Sequence, residues 1–210
     1  MKVLLHPSYF PNIATFALIV QKSICWEVED NYQKQTYRNR CHICTDLGKH
    51  MLSIPIQHVG GRQGRQKYQD VLVDNSYKWQ RQHWRTLQTA YRTSPFFEFY
   101  EDDIAPLYQE RFESLLAFNL QTIATVCECL QIDMPMEKTS KFELALGGMR
   151  DARFMVNAKR FPKVEQEPYN QVFGDRHEFI GNISVLDLLF NEGTNAQNYL
   201  ARQNIDFLNA

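Results

Sequence analysis

The chain has no apolar stretch of the roughly 20 residues that a membrane-spanning helix needs, no internal repeat and no low-complexity tract. Neither sign of charge dominates. The 23 Lys and Arg and 24 Asp and Glu leave a formal net charge of −1. That excludes the strongly basic field of a nucleic-acid binder or of a protein steered to anionic lipid. Five cysteines, an odd number, offer no paired framework and agree with a reducing compartment. An export signal is hinted at only by Lys2 before an apolar stretch. His6, Pro7, Tyr9, Pro11 and Asn12 interrupt that stretch, and no small-residue cleavage pattern follows. The expected protein is cytoplasmic, with no membrane insertion and no nucleic-acid partner.

What is present suits a folded domain. Hydrophobic residues make up 44% and charged residues 22%, values typical of globular chains. A length of 210 residues fits one domain. "KVLLH" reads as a short buried strand, "NIATFALIVQ" as a helix with Asn12 as N-cap, and "ICWEVED" as a second strand. Strand–helix–strand is the usual start of a parallel sheet. "YRNRCHICT" and "MLSIPIQ" read as strands joined at Asp46-Leu47-Gly48-Lys49, and "YQDVLVD" as a further strand. Residues 76–132 read as helical. In "SYKWQRQHWRTLQTAYR", Trp84, Leu87 and Tyr91 share one side and Lys78, Arg81, Arg85 and Arg92 another. "TSPFFEFYEDD" is a breaker, and 103–131 is the longest periodic segment, with Pro106 near its start. Residues 133–210 are irregular. Two short helices end them, the first opened by a capping-box-like Ser184 and Asp187 and stopped by Gly193. The expected fold is α/β. It has a β-rich part over 1–75, a central mixed sheet flanked by helices, and a helical second half.

Several groups carry candidate chemistry. His6 ends the first strand just before the first helix. There it can hold a phosphate, act as acid or base, or sit in the core against a backbone carbonyl. Glu27, Glu29 and Asp30 end the second strand, with Lys34, Arg38 and Arg40 close behind. Ligands bind at such strand ends in parallel sheets. This mix of signs reads equally as a substrate site and as an ion-pair network, and Asp151 with Arg153 invites the same two readings. The candidate catalytic set is His6, Asp30 and Asp151. The candidate substrate-binding set is Tyr9, Lys34, Arg38, Arg40, Arg85 and Arg153. The loop Gly60-Gly61-Arg62-Gln63-Gly64-Arg65 lacks both the P-loop and the G-x-G-x-x-G pattern and reads as a mobile hairpin loop. Cys41 and Cys44 have C-x-x-C spacing, but Cys127 and Cys129 lie two apart in a helical stretch and supply no matching ligand pair. The thiols are read as structural, no metal site is expected, and the cofactor is left open. The Lys78/Arg81/Arg85/Arg92 stripe is read first as a solvated face, with anion binding as the alternative.

"LLHPSYFPNIATFALIVQ", "EVEDNYQKQTYRNR", "WQRQHWRTLQTAYRTSPFFEFYEDD", "DARF", "YNQVFG" and "NISVLDLLFNEG" follow one another as in the WbqC-like protein family. The chain resembles the branch common in Bacteroidetes-type bacteria, from about residue 3 to about residue 200. Many relatives in the wider family carry glutamine before the proline where this chain has His6. The resemblance therefore implies a hydrogen-bonding, ligand-positioning role at position 6. It also implies a place in surface-polysaccharide biosynthesis, by acyl or aminoacyl transfer, and it carries over no catalytic residue. The strand–loop–helix opening is similar to nucleotidyl-transferring folds, without the second histidine of their H-x-G-H signature; this likeness is one of fold alone. The expected function is a cytoplasmic transferase acting on a small activated anionic substrate, a nucleotide or nucleotide sugar. The alternative is a non-enzymatic binding or scaffold protein that uses "SPFFEFY" as a partner surface.

Overall fold

The computed structural model describes residues 1–57, 66–144, 146–159, 161 and 164–209. The glycine-rich loop of residues 60–65 lies outside them. Strand β1 (Lys2–Leu5), helix α1 (Ile13–Gln21) and strand β2 (Ser23–Trp26) form the opening unit. The Asn12 side chain caps α1 by accepting from the Thr15 amide at 3.0 Å. β1 and β2 pair in parallel, Lys2 opposite Ser23 and Leu5 opposite Trp26. On the other side of β1 lies β5 (Arg150–Asp151), also parallel. All three strands therefore end at the same edge of the sheet. β2 is an outer strand in the order β2-β1-β5. Its free side is covered by residues 137–139, through Trp26 N–H to the Glu137 carbonyl and Thr139 N–H to the Trp26 carbonyl.

β3 (Arg40–Thr45) and β4 (Gly48–Ser53) form a separate antiparallel hairpin, turned at Asp46-Leu47 with Gly48 at φ 94°. The mixed strand directions are thus divided between two sheets. "YQDVLVD" is not a strand. A 3-10 turn covers Tyr68–Asp70, and only single bridges follow, Val73 to Ile56 and Leu72 to Ser114. Tyr68, Val71 and Val73 point into the core while Leu72 is exposed, an alternation that looks like a strand.

Helix α2 (Trp79–Tyr91) buries Trp79, His83, Leu87 and Tyr91 and leaves Lys78, Arg81, Arg85 and Arg92 exposed. The long periodic segment is broken in two places. Helix α3 (Phe97–Ile104) starts earlier than the expected breaker allowed, α4 (Pro106–Gln109) begins with proline at its first position, and α5 (Leu115–Cys129) restarts after the Ser114 cap. Helices α6 (Val185–Glu192) and α7 (Ala196–Arg202) close the chain. Gly193 ends α6 at φ 56°, where a Cβ would stand 2.5 Å from the Phe96 ring. The hydrophobic core runs from Val3 to Leu208.

The aromatic run is mostly interior. Phe97 is wholly buried against Phe190, Phe96 is part-buried under Gly193, and only Phe99 is strongly exposed, at 70%. Phe97→Ala is expected to cost about 3–5 kcal/mol of stability, and Phe99→Ala no more than about 0.5 kcal/mol. Urea denaturation checks this, and equal losses would place both rings in the same environment.

Candidate functional site

Parallel pairing brings the residues that follow β1, β2 and β5 to one edge. His6 follows β1, Glu27 follows β2, and Asp151 with Arg153 comes from β5 and the turn after it. The segment of residues 30–40 crosses this edge. It is tied down by Tyr68 N–H to the Asp30 carbonyl, Tyr32 N–H to the Gln66 carbonyl, and Tyr37 N–H to the Val156 carbonyl. A cavity of about 370 Å³ results, lined by His6, Asp30, Arg38, Phe142, Arg153 and Phe154, with Asn31, Gln33, Val156 and Asn157 at its margin.

Three side chains at its floor form a closed triangle. Arg38 Nη2 lies 2.9 Å from His6 Nε2 and 3.3 Å from Asp30 Oδ2, and the latter two atoms are 3.2 Å apart. His6 Nδ1 lies 3.2 Å from the Glu27 carbonyl, which can only accept, so Nδ1 carries the proton. Nε2 then offers its lone pair to one hydrogen of Arg38 Nη2, while the other reaches Asp30. Burial, helped by the neighbouring Arg38 charge, lowers the His6 pKa from 6.5 to about 4. The ring is therefore neutral at pH 7. Burial alone would raise the Asp30 carboxyl. A proton shared with His6 Nε2, the Asn31 amide and the Arg38 charge outweigh this and hold it below the usual carboxylate range. Asp30 is the more open member, its side chain 15% exposed against 2% for His6. Both groups thus lack their titratable proton at pH 7, and a proton arriving at Asp30 Oδ2 would be shared with His6 Nε2, 3.2 Å away.

Arg38 is wholly buried, with its guanidinium over the Tyr68 ring at 5.2 Å and its carbonyl accepting from Asn119 Nδ2. Its Nε and Nη1 donors have no partner among the described residues. Arg153 is held differently. It grips Asp151 with a two-point fork, Nε to Oδ1 at 3.0 Å and Nη2 to Oδ2 at 2.7 Å. Its Nη1 reaches the Glu143 carbonyl at 3.0 Å and buried Glu27 at 3.5 Å. Burial raises the Asp151 carboxyl, but the Arg153 fork holds it below its ordinary value. With His6 neutral, Glu27, Asp30 and Asp151 exceed Arg38 and Arg153 by one negative charge.

The candidate residues thus divide. His6, Asp30, Arg38, Asp151 and Arg153 come together. Lys34 and Arg40 line an adjoining cavity on the far side of the 30–40 segment. Arg85 stands elsewhere, beside His50 and Arg176. Tyr9 is wholly buried, its hydroxyl 2.7 Å from the Tyr108 hydroxyl and 3.0 Å from His83 Nδ1. It belongs to the core between β1 and α2 and does not reach the cavity. Asp187 also departs from its expected capping role. It is wholly buried and accepts from Tyr91, Tyr169 and Gln171. Cys41 is buried in β3, where burial pushes its thiol up, and no group of three His, Cys, Asp or Glu able to hold a metal is found among the described residues. The sequence reading left Glu27, Asn31, Asn157, Phe142 and Phe154 out of the site. Glu27 stood in the charge cluster after β2 and could have been included; the two Phe had no local signal.

The model of the WbqC-like protein family matches residues 6–156. That span starts on His6 and includes every residue lining the cavity except Asn157. The chain belongs to the WbqC-like protein family. It is also 28% identical over 228 residues to "Uncharacterized protein Rv1507c" of Mycobacterium tuberculosis, covering 94% of this chain and 96% of that one. No solved structure matches it. No helix among the described residues is long and apolar enough to cross a membrane. This WbqC-like chain therefore carries its polar cavity within the part that defines the family.

Three histidines share a depressed pKa near 4: His6, His42 and His83, each mainly through burial. On acidification the unfolded chain, with histidines near 6.5, takes up protons first. Stability is therefore full above about pH 6.5 and falls as pH drops toward 4. For His6 alone the shift amounts to roughly 3 kcal/mol. His6→Gln is expected to flatten this fall, as measured by urea denaturation at pH 7 and pH 4.5. An unchanged fall in the variant would show that His6 is not held neutral.

Proposed function

We propose that this WbqC-like chain is a cytoplasmic transferase that holds an activated sugar in the cavity at the strand ends, in the setting of surface-polysaccharide biosynthesis. The observation that carries this reading is the convergence of His6, Asp30, Arg38, Asp151 and Arg153 on one edge of a parallel sheet. Planar carboxylates and amides flank the cavity beside two part-exposed rings, Phe142 at 44% and Phe154 at 40%. Carboxylates accept hydroxyl protons in bidentate fashion, and aromatic faces pack on apolar C–H surfaces. That combination suits a polyhydroxylated ligand better than a bare anion. In this reading Asp30, backed by His6, accepts the proton of the attacking hydroxyl or amine. Arg38 keeps Asp30 ionised and His6 neutral. Asp151 and Arg153 orient the sugar. The scaffold alternative keeps only Phe99 as a strongly exposed ring of its proposed surface, since Phe97 is buried and Phe96 is part-buried.

Thermal-shift screening against nucleotide sugars and free monosaccharides tests the reading. A stabilising ligand is expected, and Asp30→Asn should weaken it by about tenfold, the loss of one charged hydrogen bond. No shift with any sugar, or an equal shift in Asp30→Asn, would contradict it.

A further inference from the structure

A second cavity, of about 460 Å³, lies against the first. The 30–40 segment is the wall between them: Asp30, Asn31, Gln33 and Arg38 line one, and Tyr32, Lys34, Asn39 and Arg40 line the other. Gln35 on this wall takes a left-handed backbone, φ 61°, a conformation that costs a non-glycine residue energy and is found often at ligand sites.

The lining of the second cavity is cationic. It holds Lys34 and Arg40 against a single carboxylate, Asp74, which is engaged by the Ser76 amide and hydroxyl. In the first cavity the two lining arginines are engaged by carboxylates, Arg38 by Asp30 and Arg153 by Asp151. It also presents buried polar atoms with no partner among the described residues. Arg40 Nε is one. Asn39 Oδ1 is another, an acceptor that suits a ligand hydroxyl or amide N–H rather than a phosphate oxygen, since its Nδ2 already donates to the Ile54 carbonyl at 2.9 Å. An unpaired buried donor is costly, and a ligand oxygen that meets Arg40 Nε removes that cost. Tyr32 and exposed Tyr77 supply flat faces at the same cavity.

We infer that the second cavity is an anion subsite that takes a phosphate-bearing group, with Arg40 and Lys34 as its cations and Tyr32 and Tyr77 as stacking walls. The inference rests on the proposed sugar site and deepens it. The two sides of the 30–40 wall would hold the two parts of one activated sugar, the hydroxylated ring against Asp30 and the phosphates against Arg40. Phosphate is preferred to a carboxylate because a flexible ammonium and a guanidinium both converge on a cavity with room for more than one oxyanion.

Calorimetric titration of the whole chain with pyrophosphate, with uridine diphosphate and with citrate tests the subsite. Pyrophosphate and the diphosphate are expected to bind, citrate about tenfold more weakly. Arg40→Gln should weaken both phosphates about tenfold, and exposed Lys34→Gln, which threatens no packing, about fivefold. Asp30→Asn should keep pyrophosphate affinity within about threefold, while weakening the response to sugars about tenfold. Failure of pyrophosphate to bind, citrate bound as tightly, or affinity unchanged in both Arg40→Gln and Lys34→Gln would overturn the subsite. Sugar binding that depends on Asp30 would still stand in that case. Pyrophosphate binding that depends on Arg40, with no response to any sugar, would overturn the sugar site alone.

Discussion

The Arg38 guanidinium is a full positive charge with no exposure to solvent. Desolvating such a group costs several kcal/mol, and only a well-formed set of partners offsets it. Asp30 supplies the opposite charge, His6 a lone pair, and the Tyr68 ring a negative face. These partners come from four places: the end of β1, the segment after β2, the turn at residue 68 and, through the Arg38 carbonyl, Asn119 of α5. Meeting the requirement of one cation therefore fixes the positions of most elements around the cavity. Tyr68 is fixed in turn, its hydroxyl donating to the Pro7 carbonyl and accepting from Asn119 Nδ2.

The parallel sheet explains why these groups lie together at all. Three parallel strands end on one edge, and the chain leaves each through a polar segment, His6-Pro7-Ser8 after β1, "EVEDN" after β2 and "ARF" after β5. A residue one or two positions past a strand end must come near its counterparts from the neighbouring strands. His6 is confined further by Pro7, which disfavours helical backbone at the residue before it. The chain cannot turn into α1 until Asn12 caps it. The stiff "HPSYFP" connection thus does two things. It aims His6 across the sheet edge, and it sends Tyr9 inward to Tyr108 and His83.

Local signals explain how much was legible beforehand. β1, α1 and β2 carry clear periodicity and a capping residue, so the opening unit and its polar edge could be read directly. β5 could not: two residues are too short to show a period, and its place beside β1 depends on contacts about 145 positions apart in the chain. Asp187 has the right spacing from Ser184 for a capping box, but its carboxylate was claimed by Tyr91, Tyr169 and Gln171. That is a tertiary preference no local pattern expresses. The long periodic segment was broken at Ala105-Pro106 and at 110–114, where Pro106 and Ser114 were visible as helix starts. Lys34, Arg38 and Arg40 looked like one basic cluster. The wall they stand on sends them to two cavities, a division set by the irregular backbone around Gln35.

The central claim is that the cavity beside Asp30 and Arg38 is where this WbqC-like chain meets its ligand. An amide and guanidinium chemical-shift map, recorded while a nucleotide sugar is titrated in, tests it most directly. The account predicts that the largest shifts fall on Asn31, Arg38 Nε, Arg153 and Asn157. Shifts gathered instead around His50, Arg85 and Arg176, with the Asp30 cavity silent, would contradict it.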